Sequence, residues 1–325
     1  MKKVFLLCKQ KKPSCEVRLF LYICSMKSVG LWLIDRLLRG VLFALGVTPR
    51  CMLCGVSNFL AFLAQRVAGY RRRVVMDNLH KAFPQKGKKE LHRIARGSYR
   101  AFFDTALNIF RIRYASQKRV LRTMHCKNMA LLQRLYSEGK SGIIMAGHYS
   151  CWEYIGIFQR GINHQTVAAY QPLSFAPLER VIAEARMRFG AIMAALRDVF
   201  KVLIDHRQRG IPTMTLMVSD QSPARGSCTH WVTLLGQPTP VLIGPERIAQ
   251  KINAAVMYLR IVEKRRFDYE YEVVLLTENA AQEPEMETTK RFYAELEKDL
   301  LRTPQLWMWT HKRWKHQDLF NMQTK

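Results

Sequence analysis

Acidic side chains are scarce in this sequence. Its 325 residues hold 25 Asp and Glu against 52 Lys and Arg, a formal net charge of +27. The shortage is worst at the start, where residues 1–100 carry 21 basic and 4 acidic side chains. Such a chain seeks polyanions: nucleic acid, an anionic membrane face, or acidic partners and substrates. Zinc-finger spacings and aromatic-basic RNA-binding signatures are missing, which sets nucleic acid aside and favours the membrane. The eight cysteines are scattered. Only Cys51 and Cys54 have metal or redox spacing, and no second Cys or His pair lies nearby, so all eight read as reduced thiols of a cytosol-facing protein. Long apolar runs are lacking too. The longest near the N-terminus, residues 51–64, falls short of a standard membrane span. Residues 1–27 offer no small-residue cleavage site after their short apolar stretch, which excludes a convincing secretory signal and leaves Met26 as a possible true start. No internal repeat is visible.

What is present centres on residues 142–154, G-I-I-M-A-G-H-Y-S-C-W-E-Y. Ile143 to Ala146 is a short apolar run of the kind expected for a buried strand. Gly147 breaks it, His148 follows, and Glu153 lies five residues on, ahead of a helical pattern from Tyr154. Glutamate can accept a hydrogen bond from one imidazole N–H and leave the other nitrogen free to take a proton, so His148 reads as a general base and Glu153 as its orienting partner. Positions i and i+5 face different sides of a regular helix, so this pairing requires His148 to sit in the turn. By itself His-x4-Glu is a common chance spacing, and a core histidine beside a dipole-favouring glutamate explains it equally. Cys151 reads as a small apolar residue, since no second base is evident for it.

The remaining chain divides into three parts. Residues 1–27 form an irregular extension. Residues 28–73 form a membrane-associated helical anchor: residues 31–47 are amphipathic, with Asp35, Arg36 and Arg39 on one side, and the uncharged residues 51–64 lead into Arg66 and Arg71 to Arg73. A monotopic or re-entrant anchor, a single span and a soluble hairpin all remain open. Residues 74–318 are an α/β domain. There, helices over 74–83 and 88–112 precede alternating strands (166–170, 213–219, 254–262, 269–276) and helices (177–189, 199–209, 244–253, 288–301). Asp220 ends a strand where an α/β sheet carries functional acids, or else caps a turn. The Trp-rich residues 307–315 read as the lining of an acyl or lipid path, or as interfacial aromatics with snorkelling basic side chains.

Taken in order, these pieces resemble one family, the bacterial lipid A biosynthesis acyltransferases, the late branch of the lysophospholipid acyltransferase superfamily. The resemblance covers residues 28–315. It rests on Asn78 with Ala82-Phe83-Pro84; Gly147-His148-x4-Glu153; Tyr170 with Pro172-Leu173; Arg186 and Gly190; Asp220-Gln221; Gly236 with Thr239-Pro240 and Gly244; and Trp307-x-Trp309-x-His311-x-Arg313-Trp314-Lys315.

That resemblance implies a glycerolipid acyltransferase-like fold, a central mixed sheet flanked by helices behind an N-terminal helical membrane anchor. It also implies an enzyme on the cytoplasmic face of the inner membrane. Such an enzyme moves a fatty acyl chain from acyl carrier protein, or a coenzyme A thioester, to a hydroxyl of a lipid A precursor. His148 and Glu153 carry the family's His-x4-acid motif, and substrate contacts are implied at Tyr170, Arg186, Asp220 and Arg313. No cofactor is implied, and the backbone N–H groups after the catalytic turn are candidate oxyanion donors. The sequence departs from the family at Gln171, where many members have arginine, so a phosphate contact is either missing or supplied by Arg186 or Arg188. Asn108 stands where an acid is expected, and residues 1–27 have no counterpart. Two other readings compete: an acyltransferase for an ornithine lipid, glycolipid or lysophospholipid, and a non-catalytic basic membrane-binding protein.

Overall fold

The computed structural model describes residues 36–37, 39–172 and 176–323. The expected extension over 1–27 and the start of the 31–47 helix lie outside the described residues. Two compact units are present, Met1–Ala44 and Leu45–Lys325, and the second carries the site.

Helix α1 (39–47) is followed by α2 (Arg50–Phe62), which runs into a π-helical turn over Leu63–Val67, and then by α3 (Arg72–Ala82) and α4 (Lys88–Tyr114). Pro84 stops α3 as anticipated, because proline disfavours helical geometry in the residue before it. Helix α4 buries a stripe at three- and four-residue spacing, from Leu91, Ile94, Ala95 and Ser98 to Thr105, Asn108 and Ile112, and places Arg111 and Arg113 in its last turn, where the helix dipole favours cations. Against this stripe α2 lays Leu53, Ser57 and Ala61, the last two small enough for close approach, and Ser57 Oγ donates to the Arg100 carbonyl. The opposite face of α2 stays exposed and uncharged, with Met52, Phe59 and Phe62 each more than half accessible.

The α/β part continues with α5 (Gln117–Leu121), β1 (Met124–Lys127), α6 (Met129–Ser137), β2 (Gly142–Ala146), a 3-10 helix (Trp152–Arg160), β3 (Gln165–Tyr170), α7 (Ala176–Met187), β4 (Ile192–Ala195), α8 (Val199–Gln208) and β5 (Thr213–Val218). After these come a small antiparallel hairpin of β6 (Trp231–Leu234) and β7 (Gln237–Pro240), α9 (Gly244–Ile252), β8 (Ala255–Arg265), β9 (Asp268–Thr277), α10 (Glu287–Arg302) and α11 (Gln317–Gln323). Seven strands form one mixed sheet, ordered β1-β9-β8-β2-β5-β3-β4 and flanked by helices. The run β8-β2-β5-β3-β4 is parallel, β9 returns antiparallel to β8, and β1 lies parallel to β9. The expected α/β mixed sheet is therefore found.

Strand β2 is buried at every position, between β8 and β5. Parallel strands covered on both faces read as continuous apolar runs, which is why residues 143–146 show no alternation. Because β2, β5, β3 and β8 are parallel, their C-terminal ends open on one edge of the sheet, where an α/β architecture presents its functional loops. Residues 147–153, 219–222 and Tyr170 all emerge there.

Among the described residues no single helix is long and apolar enough to cross a membrane. Only Arg50–Val67 together with Arg72–Ala82 has the length and composition, and that pair is bent by 94°.

The closing segment is tied back to the N-terminal helices. Buried Asn78 donates from Nδ2 to the carbonyls of Trp309 and His311, both at 2.8 Å, and Arg71 donates to the Thr310 carbonyl at 3.0 Å. Asn78→Asp would turn the double donor into an acceptor facing two carbonyls, so it should lower stability by about 1–3 kcal/mol in a denaturant titration. Exposed Asp77→Ala serves as the control and should move stability by less than about 0.5 kcal/mol. Equal effects of the two substitutions would contradict this tie.

Candidate active site

The chain leaves β2 at Ala146 into the turn Gly147-His148-Tyr149-Ser150-Cys151. Three elements hold this turn by its backbone. The closing segment pairs with it, Ser150 N–H donating to the Leu306 carbonyl at 2.8 Å and Met308 N–H to the His148 carbonyl at 3.0 Å. Thr105 of α4 donates to the Ser150 carbonyl at 2.9 Å, and Tyr271 of β9 to the Cys151 carbonyl at 2.8 Å. Ser150 adopts φ +52°, a left-handed conformation that a serine holds only where its surroundings impose it.

This scaffold presents the His148 ring, 16% exposed, at the sheet edge beside Trp152, whose ring lies edge-on at 5.1 Å. His148 Nδ1 lies 2.5 Å from Asp220 Oδ1. Asp220 follows β5, the strand beside β2, and the two strand ends are joined by Ser219 N–H donating to the Ala146 carbonyl at 2.9 Å. The Asp220 side chain is fully buried. Its second oxygen accepts from Trp307 Nε1 at 2.7 Å and pairs with the Arg313 guanidinium at 2.9 Å. Arg313 also donates to the Asp220 backbone carbonyl, and it stacks 4.2 Å from the centre of the Trp307 ring. Burial alone would raise the Asp220 pKa, but Arg313, His148 and the hydrogen bonds from His148 and Trp307 outweigh it and hold the carboxyl well below the usual carboxylate range. An ionised carboxylate only accepts. The proton of a neutral imidazole therefore sits on Nδ1, and Nε2 keeps the lone pair a general base needs.

This corrects the partner expected for His148. Both oxygens of Glu153 accept from Arg186 of α7, Oε2 from Nε at 2.8 Å and Oε1 from Nη2 at 2.7 Å. Glu153 lies in the first turn of the 3-10 helix and faces α7, where the planar guanidinium matches its carboxylate two-to-two. Gly156 makes this approach possible, since a β-carbon there would collide with the Arg186 carbonyl oxygen. Burial acts to lower the Arg186 pKa, but Glu153 overcomes it and the result is a raised value.

The expected substrate contacts at Asp220 and Arg313 are corrected in the same way. Both side chains are buried, at 0% and 1% exposure, and are spent on each other and on His148. Trp307, Trp309 and Trp314 are buried too, so the closing segment neither lines an open path nor snorkels. It builds the pocket for the Asp220 carboxylate. Tyr170 ends β3 half-buried on the same edge, and Arg186 keeps 21% of its side chain exposed. Arg188 donates to the Ile112 carbonyl. Asn108 is buried and donates to the Tyr269 hydroxyl at 2.9 Å, a packing role for the position where an acid was expected.

Sequence reasoning missed Trp307 as the second donor to Asp220, and it missed Gln221, whose Nε2 lies 3.1 Å from His148 Nε2. His311 is held neutral, its pKa pushed down to about 3 by burial and the nearby Arg313, and its Nε2 accepts from Ser222 N–H at 3.3 Å. Cys151 is wholly buried with its thiol pushed up by burial, which fits a packing residue and not a nucleophile. The five described cysteines are all free thiols. Among the described residues no group of three or more His, Cys, Asp or Glu side chains could hold a metal ion.

Comparison with known proteins identifies the family of the chain. The family described as bacterial lipid A biosynthesis acyltransferase matches residues 25–316. The chain is similar to the lipid A biosynthesis palmitoleoyltransferase of Escherichia coli (strain K12), 20% identical over 278 residues that cover 85% of this chain and 89% of the relative. It is similar to the same extent to the lipid A biosynthesis acyltransferase of Shigella flexneri.

Two outcomes follow from the site's electrostatics. Asp220→Asn leaves the buried Arg313 charge unbalanced and should cost about 3–5 kcal/mol of stability, read from denaturant unfolding. A cost below about 1 kcal/mol, the ceiling for an exposed ion pair, would contradict it. The second concerns Glu263 of β8, half-buried beyond the catalytic turn. Burial and then Asp104 push its pKa from 4.5 up to about 7, against the opposing pull of Arg266 and Arg100. A raised carboxyl pKa favours the folded state fully below the unfolded value, and that contribution fades as pH rises through the folded value. The melting temperature should therefore fall between pH 4.5 and 7 more in the wild type than in Glu263→Gln. Parallel pH profiles of the two would contradict this.

Proposed function

Because this chain belongs to the bacterial lipid A biosynthesis acyltransferases, we propose that it transfers a fatty acyl chain from an acyl carrier protein thioester to a hydroxyl of a lipid A precursor. The observation that carries the reading is the His148–Asp220 contact. It leaves Nε2 with the basic lone pair at the open edge of the sheet, and a buried counter-charge behind the ring.

A lipid hydroxyl becomes a competent nucleophile only as its proton is removed. His148 Nε2 takes that proton while the hydroxyl oxygen attacks the thioester carbonyl carbon. Asp220 stabilises the resulting imidazolium without moving. As the tetrahedral oxyanion collapses, the C–S bond breaks and Nε2 returns the proton to the leaving thiolate, giving an ester and a free thiol. The Glu153–Arg186 pair fixes the 3-10 helix that walls the site, and leaves the partly exposed guanidinium, together with Tyr170, to meet the acceptor's polar groups.

The enzyme works at the cytoplasmic face of the inner membrane, anchored through residues 28–73. Support comes from the exposed apolar surface of Met52, Phe59, Phe62, Val67 and Tyr70, next to Arg66 and Arg71 to Arg73. Aromatics and arginines side by side suit an anionic interface. The net charge of +27 suits the same bilayer, a phosphorylated acceptor and an acidic carrier protein.

Lipid A mass spectra of cells with and without the gene test the function. The deletion should lack one acyl chain, restored by wild type and not by His148→Ala. An unchanged spectrum would move the acceptor to another membrane lipid, and rescue by His148→Ala would remove the base assignment.

A further inference from the structure

Both nitrogens of His148 are engaged. Nδ1 is held by Asp220, and Nε2, the nitrogen that must receive the acceptor's proton, lies 3.1 Å from Gln221 Nε2. With the imidazole proton on Nδ1, only one direction is open for this second bond: the Gln221 amide N–H donates and His148 Nε2 accepts. The amide thus occupies the place an acceptor hydroxyl must take, because one lone pair cannot serve both. The hydroxyl has to displace it before proton transfer begins.

The displaced amide cannot travel far. On one side Asp220 is fixed by Arg313 and Trp307. On the other, Ser222 donates its N–H to His311 Nε2 at 3.3 Å and its hydroxyl to the Arg313 carbonyl at 2.5 Å. The backbone on both sides of Gln221 is therefore anchored, and only its half-buried side chain is free to turn. Its N–H stays within a side-chain rotation of His148 Nε2, the atom the attacking hydroxyl must meet.

We propose that Gln221 is a catalytic oxyanion donor. Its side-chain amide rests on His148 Nε2, is displaced by the acceptor hydroxyl, and then donates its N–H to the thioester carbonyl oxygen as negative charge develops there. This deepens the acyltransferase reading and rests on it. The bonds made and broken are those of that reaction: the hydroxyl oxygen bonds the carbonyl carbon, the C–S bond breaks, and the proton passes through His148 to the thiolate. Gln221 adds a hydrogen bond to the intermediate oxygen and transfers nothing.

The test is steady-state kinetics of the full chain in bilayers, with acyl carrier protein thioesters as donor and lipid A precursor extracted from the deletion strain as acceptor. Gln221→Met keeps the size but loses the donor, and Gln221→Ala loses both. Each should lower kcat by about 10²-fold or more, the cost of removing one oxyanion donor. The KM of both substrates should stay within about threefold, because the lost interaction exists only in the transition state. The unfolding midpoint should match wild type.

A kcat that is unchanged or higher would overturn the proposal, since Gln221 would then merely cap the base. So would a loss carried by the acceptor's KM, which would make it a positioning residue. Wild-type activity that His148→Ala abolishes keeps the acyltransferase reading intact whichever way Gln221 falls. An inert wild type would overturn both.

Discussion

A single buried carboxylate organises the catalytic edge of this protein. Removing an ion from water is expensive, and Asp220 sits where water does not reach. Three donors offset that cost: a guanidinium that is itself buried, an indole N–H, and the imidazole N–H of His148. The first two arrive on the closing segment and the third on the turn after β2, so the buried charge is balanced only in the folded protein. The consequence is chemical. A carboxylate held below its ordinary pKa range cannot donate, which settles the tautomer of His148 and aims its lone pair outward. The same constraint explains the closing segment. Trp307, Trp309 and Arg313 are buried because they form the cage, and Asn78 and Arg71 hold that cage against the first helices.

The two acids of the site divide the work. Asp220 serves the base from within the protein, while Glu153 shapes the wall by clamping Arg186 across to α7. Gly156 is the steric condition for that clamp. Asp220 and Glu153 are two of six buried carboxylates among the described residues, and both lie at the catalytic edge.

Much of the architecture could be read from periodicity. Residues 143–146 are an unbroken apolar run and residues 213–219 an uncharged one, interrupted only by Thr213, Thr215 and Ser219, because they form the covered strand β2 and the covered strand β5 with its exit, and the 254–262 and 269–276 stretches became the hairpin β8–β9. The short pieces were not legible. Strands β1 and β4 are the two edge strands and have four residues each, too few for a periodic pattern to stand out. His148 was also legible, as a histidine just past a strand, but its partner was not. Glu153 is near in sequence, whereas Asp220 is 72 residues away, and only the pairing of β2 with β5 brings it close. Its place at the end of a strand was the available signal. Arg313, between Lys312 and Lys315, looks like a surface cation until packing places it 93 residues back, against Asp220.

Asp220, and not Glu153, holds the His148 ring. Proton NMR of protein labelled with 15N at histidine tests it most directly, through the far-downfield resonance of an imidazole N–H bound to a carboxylate. The His148 resonance should be present in the wild type and in Glu153→Gln, and absent in Asp220→Asn. Its loss in Glu153→Gln with survival in Asp220→Asn would make Glu153 the partner of the ring instead.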